Sequence, residues 1–254
     1  MAEATPLLLA LAVLAGFVGG AMNALAGGGT FATLPALIAF GVPSTLANAT
    51  SIVALQPGAM MGAWPHRHSL HPVGGLSVGW MAAITFVGGG VGACLLMITP
   101  AHQFNLIIPW LLLMATVVLA GGKAASQALA RHVHIGIRTL CVVQFLLGIY
   151  GGYFGGAVGL MMAAAWGLLA GLDPHEIAGH RTLMLATANA AAALLFIAIG
   201  MVAWTWCLPM LGGALAGGYA GSVLGRRLPA MAIRIWTLLV TAVTTVIFFV
   251  RAYG

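Results

Sequence analysis

The hydrophobic positions along this chain gather into ten continuous runs rather than alternating with polar ones. They span about 7–25, 30–40, 46–64, 73–98 and 103–121, then 139–154, 158–170, 178–198, 202–225 and 235–250. A polar, basic stretch from Gly122 to Arg138 separates the two sets of five. Most runs approach the ~20 apolar residues that an α-helix needs to cross a bilayer. The strict alternation of a membrane β-barrel is missing, so helices are the predicted spanning element, because they satisfy every backbone group within one segment. The runs 30–40 and 158–170 are the exceptions. At 1.5 Å per residue each covers less than ~20 Å of a ~30 Å hydrocarbon core, so each is predicted to be a half-helix or one arm of a re-entrant hairpin, buried in protein. The expected fold is an all-α polytopic membrane protein with about eight full transmembrane helices.

Both short runs follow a glycine cluster, and the surrounding stretches read as versions of one another. Gly16 to Ser51 (GFVGGAMNALAGGGTFATLPALIAFGVPSTLANATS) and Gly148 to Thr182 (GIYGGYFGGAVGLMMAAAWGLLAGLDPHEIAGHRT) each open on Gly-x-x-Gly-Gly, pass through more glycine and a short apolar run, and reach a polar patch. That patch is Ala47-Asn48-Ala49-Thr50-Ser51 in the first and Ala178-Gly179-His180-Arg181-Thr182 in the second. Gly88 to Gly92 and Gly217 to Gly221 extend the correspondence, although close helix packing explains those glycines equally well. We therefore expect two repeats, 1–125 and 126–254, within one integral membrane domain.

Composition agrees with the membrane assignment: 62% of residues are hydrophobic and 5% charged, against roughly 25% charged in a soluble domain. The formal charge of +6 is read as a topology signal rather than as nucleic-acid binding. Placing 122–138 in the cytoplasm and alternating outward puts Arg67 inside, together with Arg226, Arg227 and Arg234. Connections 41–45, 99–102 and 199–201, which lack Lys and Arg, fall outside with both termini, and only Arg251 breaks the pattern. An odd number of segments per half makes the repeats inverted, the arrangement of many secondary transporters. The start of the chain has an acid and no basic region, so the first run is expected to be a retained segment. Cys94, Cys141 and Cys207 stand alone in apolar context and are read as small core residues.

A broken helix presents unpaired N–H groups and its positive end inside the membrane, and glycine lets an oxyanion approach that backbone. Gly27, Gly28, Gly29 and Thr30 form the candidate cradle in the first half, with Gly155, Gly156 and Gly159 in the second. Tight turns are the competing explanation. Nearby polar candidates are Asn23, Asn48, Thr50, Ser51, Tyr153, His180, Thr182 and Asn189, with Gln56 and Thr187 at the margin; each could equally be an interhelical hydrogen bond. Arg181 stands a few residues into an apolar run, where a charge is costly and points to function. Its planar fork suits a sulfonate or sulfite; the alternatives are snorkelling to the surface or pairing with Asp173 or Glu176. His180 is a candidate proton-coupling residue, with a structural role as the alternative.

The paired glycine hairpins, the Ala-x-Ala-Thr-Ser patch and the GxxGGxFGGxxG version in the second half resemble the TauE/SafE sulfite exporter family of bacterial permeases. The likeness runs from about Leu8 to Val250, and departs from it at His180-Arg181-Thr182, where members often carry a more Thr/Ser-like patch. It implies a multi-pass carrier of the bacterial inner membrane for small sulfur-containing anions such as sulfite and organosulfonates, or related carboxylates. The expected partners are thus a small anion, the lipid bilayer, a coupling proton or sodium ion and, from the small-residue faces, a second copy in a homodimer. Nucleic acid, a cofactor and a resident metal are not expected, and no catalytic motif or ATP-binding loop is present. The alternative is a transition-metal cation transporter using His66, His68 and His71 with the methionines. It is weakened by the lack of acids in the apolar runs.

Overall fold

The computed structural model describes residues 5–63, 70–130, 136–169, 174–225 and 228–254, and among these every extended element is a helix. In chain order they are α1 (Pro6–Ala26), α2 (Thr30–Ala39), α3 (Ser44–Ala63), α4 (Val78–Ile98) and α5 (Ala101–Ala130), then α6 (Ile137–Phe154), α7 (Val158–Leu169), α8 (Pro174–Ala198), α9 (Trp204–Gly225) and α10 (Ala230–Tyr253). Local chemistry sets several ends. Thr5 caps α1 through the Leu8 N–H with Pro6 in its first turn, and Ser77 caps α4 through the Trp80 N–H.

Among the described residues, seven helices are long and apolar enough to cross a membrane. The eighth long one, α3, has the length at 20 residues but carries Asn48, Thr50, Ser51 and Gln56, all buried. It can do so because it is the central helix, packed against α1, α2, α5, α8 and α9. The two short helices are α2, with 10 residues, and α7, with 12. One expectation needs correction. The 122–138 stretch is not all linker, because α5 continues through Ala130 and α6 begins at Ile137. Lys123-Ala-Ala-Ser-Gln-Ala-Leu-Ala is rich in strong helix formers, and polarity alone does not end a helix.

Packing pairs the two sets of five. The first helix of each set lies along the fourth of the other: α1 on α9 and α6 on α4. Both seams are made by backbone meeting backbone. A Cβ on Gly16 or Gly20 would collide with the Met210 or Ala214 carbonyl, and one on Gly152 with the Gly89 carbonyl. The third helices, α3 and α8, run antiparallel side by side, with Gln56 opposite Ala186 and Gly62 opposite Thr182. The fifth helices, α5 and α10, also pair: Arg234 donates to the Ala120 carbonyl and Tyr253 to the Leu106 carbonyl, at opposite ends of the seam.

Candidate functional site

The two glycine clusters are the places where a helix stops inside the protein. Gly27 ends α1 and Gly155 ends α6, each in the left-handed conformation at φ 74° and 71°, which residues with a Cβ seldom adopt. After each stop the chain turns within a few residues into the short helix, α2 or α7. The N–H groups of Gly28 and Gly29, and those of Gly155, Gly156 and Ala157, make no backbone hydrogen bond among the described residues. Each break therefore offers free donors together with the positive end of a helix.

The breaks touch. A Cβ placed on Gly27 would lie 3.5 Å from the Gly159 Cα, and one on Gly155 would lie 3.5 Å from Thr30 Oγ1 and press into Ile52 at 2.6 Å. Gly29 meets Leu55 in the same way, at 2.9 Å. Ile52 and Leu55 lie near the middle of α3, which puts the meeting point near mid-height of the helical bundle.

Arg181 joins this point from α8. A Cβ on Gly159 would lie 3.0 Å from its Cγ and 3.4 Å from its Cδ, so the side-chain stem runs across the face that the glycine leaves open. Arg181 forms no hydrogen bond or ion pair with a described residue. Asp173 and the side chain of Glu176, its expected alternative partners, lie outside the described residues.

Other candidates are committed elsewhere. Thr50 accepts from the Ala203 N–H at 3.0 Å, and Ser51 shares a hydrogen bond with Thr33, whose hydroxyl also donates to the Gly29 carbonyl at 3.2 Å. Tyr153 donates to Thr99 at 3.4 Å and stacks edge-on with Phe104. His180 is buried, with Nε2 3.3 Å from the His71 N–H and 2.7 Å from its carbonyl, and its ring meets those of His71 and Trp166. Thr182 packs its methyl towards Gly62, and Asn23 lies beneath Gly29. Asn48 binds the second break directly, its Nδ2 donating to the Tyr153 carbonyl at 2.9 Å near the open end of α6. Asn189 is buried on α8.

Sequence reasoning passed over a buried chain that fastens the second hairpin. Trp166 on α7 donates to Gln144 on α6 at 2.9 Å, Gln144 to Thr85 on α4 at 2.6 Å, and Thr85 to the Met81 carbonyl at 2.7 Å. A lone Gln in an apolar run was the one available signal, since a polar group there requires a partner. His66 and His68 of the metal-transport alternative lie outside the described residues, and no group of three or more His, Cys, Asp or Glu that could hold a metal ion occurs among the described ones.

The family pattern described as "Sulfite exporter TauE/SafE" matches residues 12–248, nearly the whole bundle including both breaks. The chain belongs to the TauE/SafE family. It is 29% identical over 252 residues to the Escherichia coli "Probable membrane transporter protein YfcA", covering 98% of this chain and 93% of that one. It is also 28% identical over 216 residues to a "Probable membrane transporter protein" of Haemophilus influenzae, covering 85% and 84%, and 26% identical over 242 residues to one from Xylella fastidiosa, covering 90% of each. With seven helices suited to crossing a bilayer, this member of the TauE/SafE family is a multi-pass membrane transporter.

Proposed function

We propose that the protein is a secondary carrier of small anions, with sulfite, sulfonates and related organosulfur or carboxylate anions as the substrate class. The anion sits between the two breaks, held by the N–H groups of Gly28, Gly29 and Gly155–Ala157 and by the Arg181 guanidinium. The observation that carries this reading is the contact itself: Gly27 meets Gly159, and Arg181 crosses Gly159 with no partner among the described residues. An oxyanion with three oxygens can take backbone donors from both halves and a two-pronged bond from arginine at once. Neutral donors and one charge bind it without trapping it.

Alternating access follows if the halves are inverted repeats. Supporting this, α1 on α9 mirrors α6 on α4, while α3 pairs with α8 and α5 with α10. In this reading the protein lies in a bacterial inner membrane with the 122–138 connection in the cytoplasm and both termini outside. The Arg234 bond to Ala120 supports that placement, because it brings two basic stretches to the same end.

The test is uptake of labelled sulfite and short sulfonates into proteoliposomes by the native protein and by Arg181→Ala and Gly28→Leu. Native transport of at least one of these anions, with loss of about tenfold or more in Arg181→Ala, is expected. Normal transport of every tested anion by both variants would remove the proposed site.

A further inference from the structure

The interface between α3 and α8 holds oxygen acceptors that the anion site does not use. Gln56 and Asn189 are buried, at 7% and 2% exposure, and Gln56 Oε1 and Asn189 Oδ1 have no hydrogen-bond partner. The Gln56 amide is anchored across the interface, its Nε2 donating to the Ala186 carbonyl at 2.9 Å. Asn189 lies three residues beyond Ala186 and continues the stripe Thr182, Ala186, Asn189, whose first two members face α3. A helical carbonyl points towards the C-terminal end and a side chain leans towards the N-terminal end, so the Asn189 amide is brought back to the level of the Ala186 carbonyl and Gln56.

A third acceptor is carried by α3. Pro57 is inside α3 and has no N–H, so the Val53 carbonyl one turn earlier loses its helical partner. Because the helices are antiparallel, stepping back from Gln56 to Val53 moves along α8 from Ala186 towards Asn189. Two buried amide oxygens without partners, and a carbonyl that Pro57 leaves without its helical donor, therefore belong to the two facing helices.

Buried acceptors without donors are costly, and acceptors alone do not suit an anion. They suit a hard cation, which takes oxygen ligands. The charge available decides which cation. All three acids of the chain, Glu3, Asp173 and Glu176, lie outside the apolar runs, so the cluster is neutral and matches a monovalent ion better than a divalent one. We propose that Gln56 Oε1, Asn189 Oδ1 and the Val53 carbonyl form a binding site for an alkali cation of the sodium class. The ion's role in coupling rests on the carrier reading above, whereas its binding does not. The site joins one helix from each half, and Leu185, next to the anchoring Ala186, packs 3.7 Å from the Cβ position of Gly27. An ion here therefore stiffens the seam beside the anion site.

The experiment uses the full-length protein in detergent, without transported anion and at constant chloride, with sodium exchanged for choline. Binding by the native state alone raises the melting temperature by about 3 °C when ~100 mM sodium is about ten times the dissociation constant. The rise is expected to saturate, to be smaller with potassium, and to vanish in Gln56→Leu and Asn189→Leu while Thr116→Val keeps it. If the leucine variants do not fold, Asn189→Asp, which retains an oxygen and adds charge, is expected to reach half-saturation at lower sodium. Equal melting in sodium, lithium, potassium and choline would overturn the site and leave these oxygens facing water only, as would an unchanged sodium response in both leucine variants or a lost response in Asn189→Asp. The two readings fail separately. A sodium shift in a protein that moves no anion sinks the carrier reading and leaves this site standing, whereas anion uptake indifferent to sodium, with no shift, sinks this site alone.

Discussion

The two hairpins share a glycine pattern and a left-handed stop, yet they are fastened by different means. The first, α1 into α2, is held to α3 by the Thr33–Ser51 hydrogen bond and closed by the Thr33 bond to the Gly29 carbonyl. The second, α6 into α7, is held to α4 through Trp166, Gln144 and Thr85, and Asn48 reaches over from α3 to bind its Tyr153 carbonyl. Among the described residues, only the second stands next to a cation, Arg181. Repetition thus supplies two similar backbone cradles, and the side chains around them divide the work. In the proposed site both halves contribute neutral backbone donors and the second adds the charge.

The largest expected effect comes from destroying a stop. Gly155→Val places a branched side chain at φ 71° and against Ile52, so a collapse of folded yield in detergent is expected by size-exclusion chromatography. Wild-type yield would show that the second break is not the tight point described. Next is Gly159→Val, which pushes the Arg181 stem away while α7 can still form. Transport is expected to fall about tenfold with near-native melting, as a displaced charge-assisted hydrogen bond would cause. Loss of melting temperature without loss of transport would separate Arg181 from the site.

Smaller effects distinguish the fastenings. Gln144→Leu strands the Trp166 N–H and removes the bond that the Thr85 hydroxyl accepts, at a cost of about 1–3 kcal/mol, and is expected to lower thermal stability more than Ser51→Ala, which removes one hydroxyl pair at about 1 kcal/mol. Thermal melts of the two variants side by side check this ordering. If Ser51→Ala proves the more damaging, the first hairpin is the more dependent on its polar fastening.

The helices were legible because each is written as a continuous apolar run between glycine, proline or polar breaks. The short α2 and α7 were as visible as the long ones, and their boundaries fall close to those read from hydropathy. The overrun of α5 into the polar stretch was not visible, since Lys123 to Ala130 mixes helix-forming alanines with Lys, Ser and Gln and forms no continuous apolar run. At the candidate site, glycine repetition pointed to the breaks and the isolated cation pointed to Arg181. The partners of the other polar residues were illegible for a physical reason. Thr50 with Ala203, Asn48 with Tyr153 and Gln144 with Trp166 are meetings of distant segments, and a single sequence carries no trace of which helices will lie together. The unpartnered oxygens of Gln56 and Asn189 belong to the same class, because burial without a partner exists only in the packed bundle.

The most direct measurement of the central claim is a structure of the protein with 2-bromoethanesulfonate bound, its bromine located by anomalous scattering. The account predicts one sulfonate between the breaks, with oxygens in hydrogen-bond reach of the N–H groups of Gly28 or Gly29 and of Gly155–Ala157, and of the Arg181 guanidinium. A sulfonate held elsewhere in the bundle, with Arg181 turned away to another partner, would contradict it.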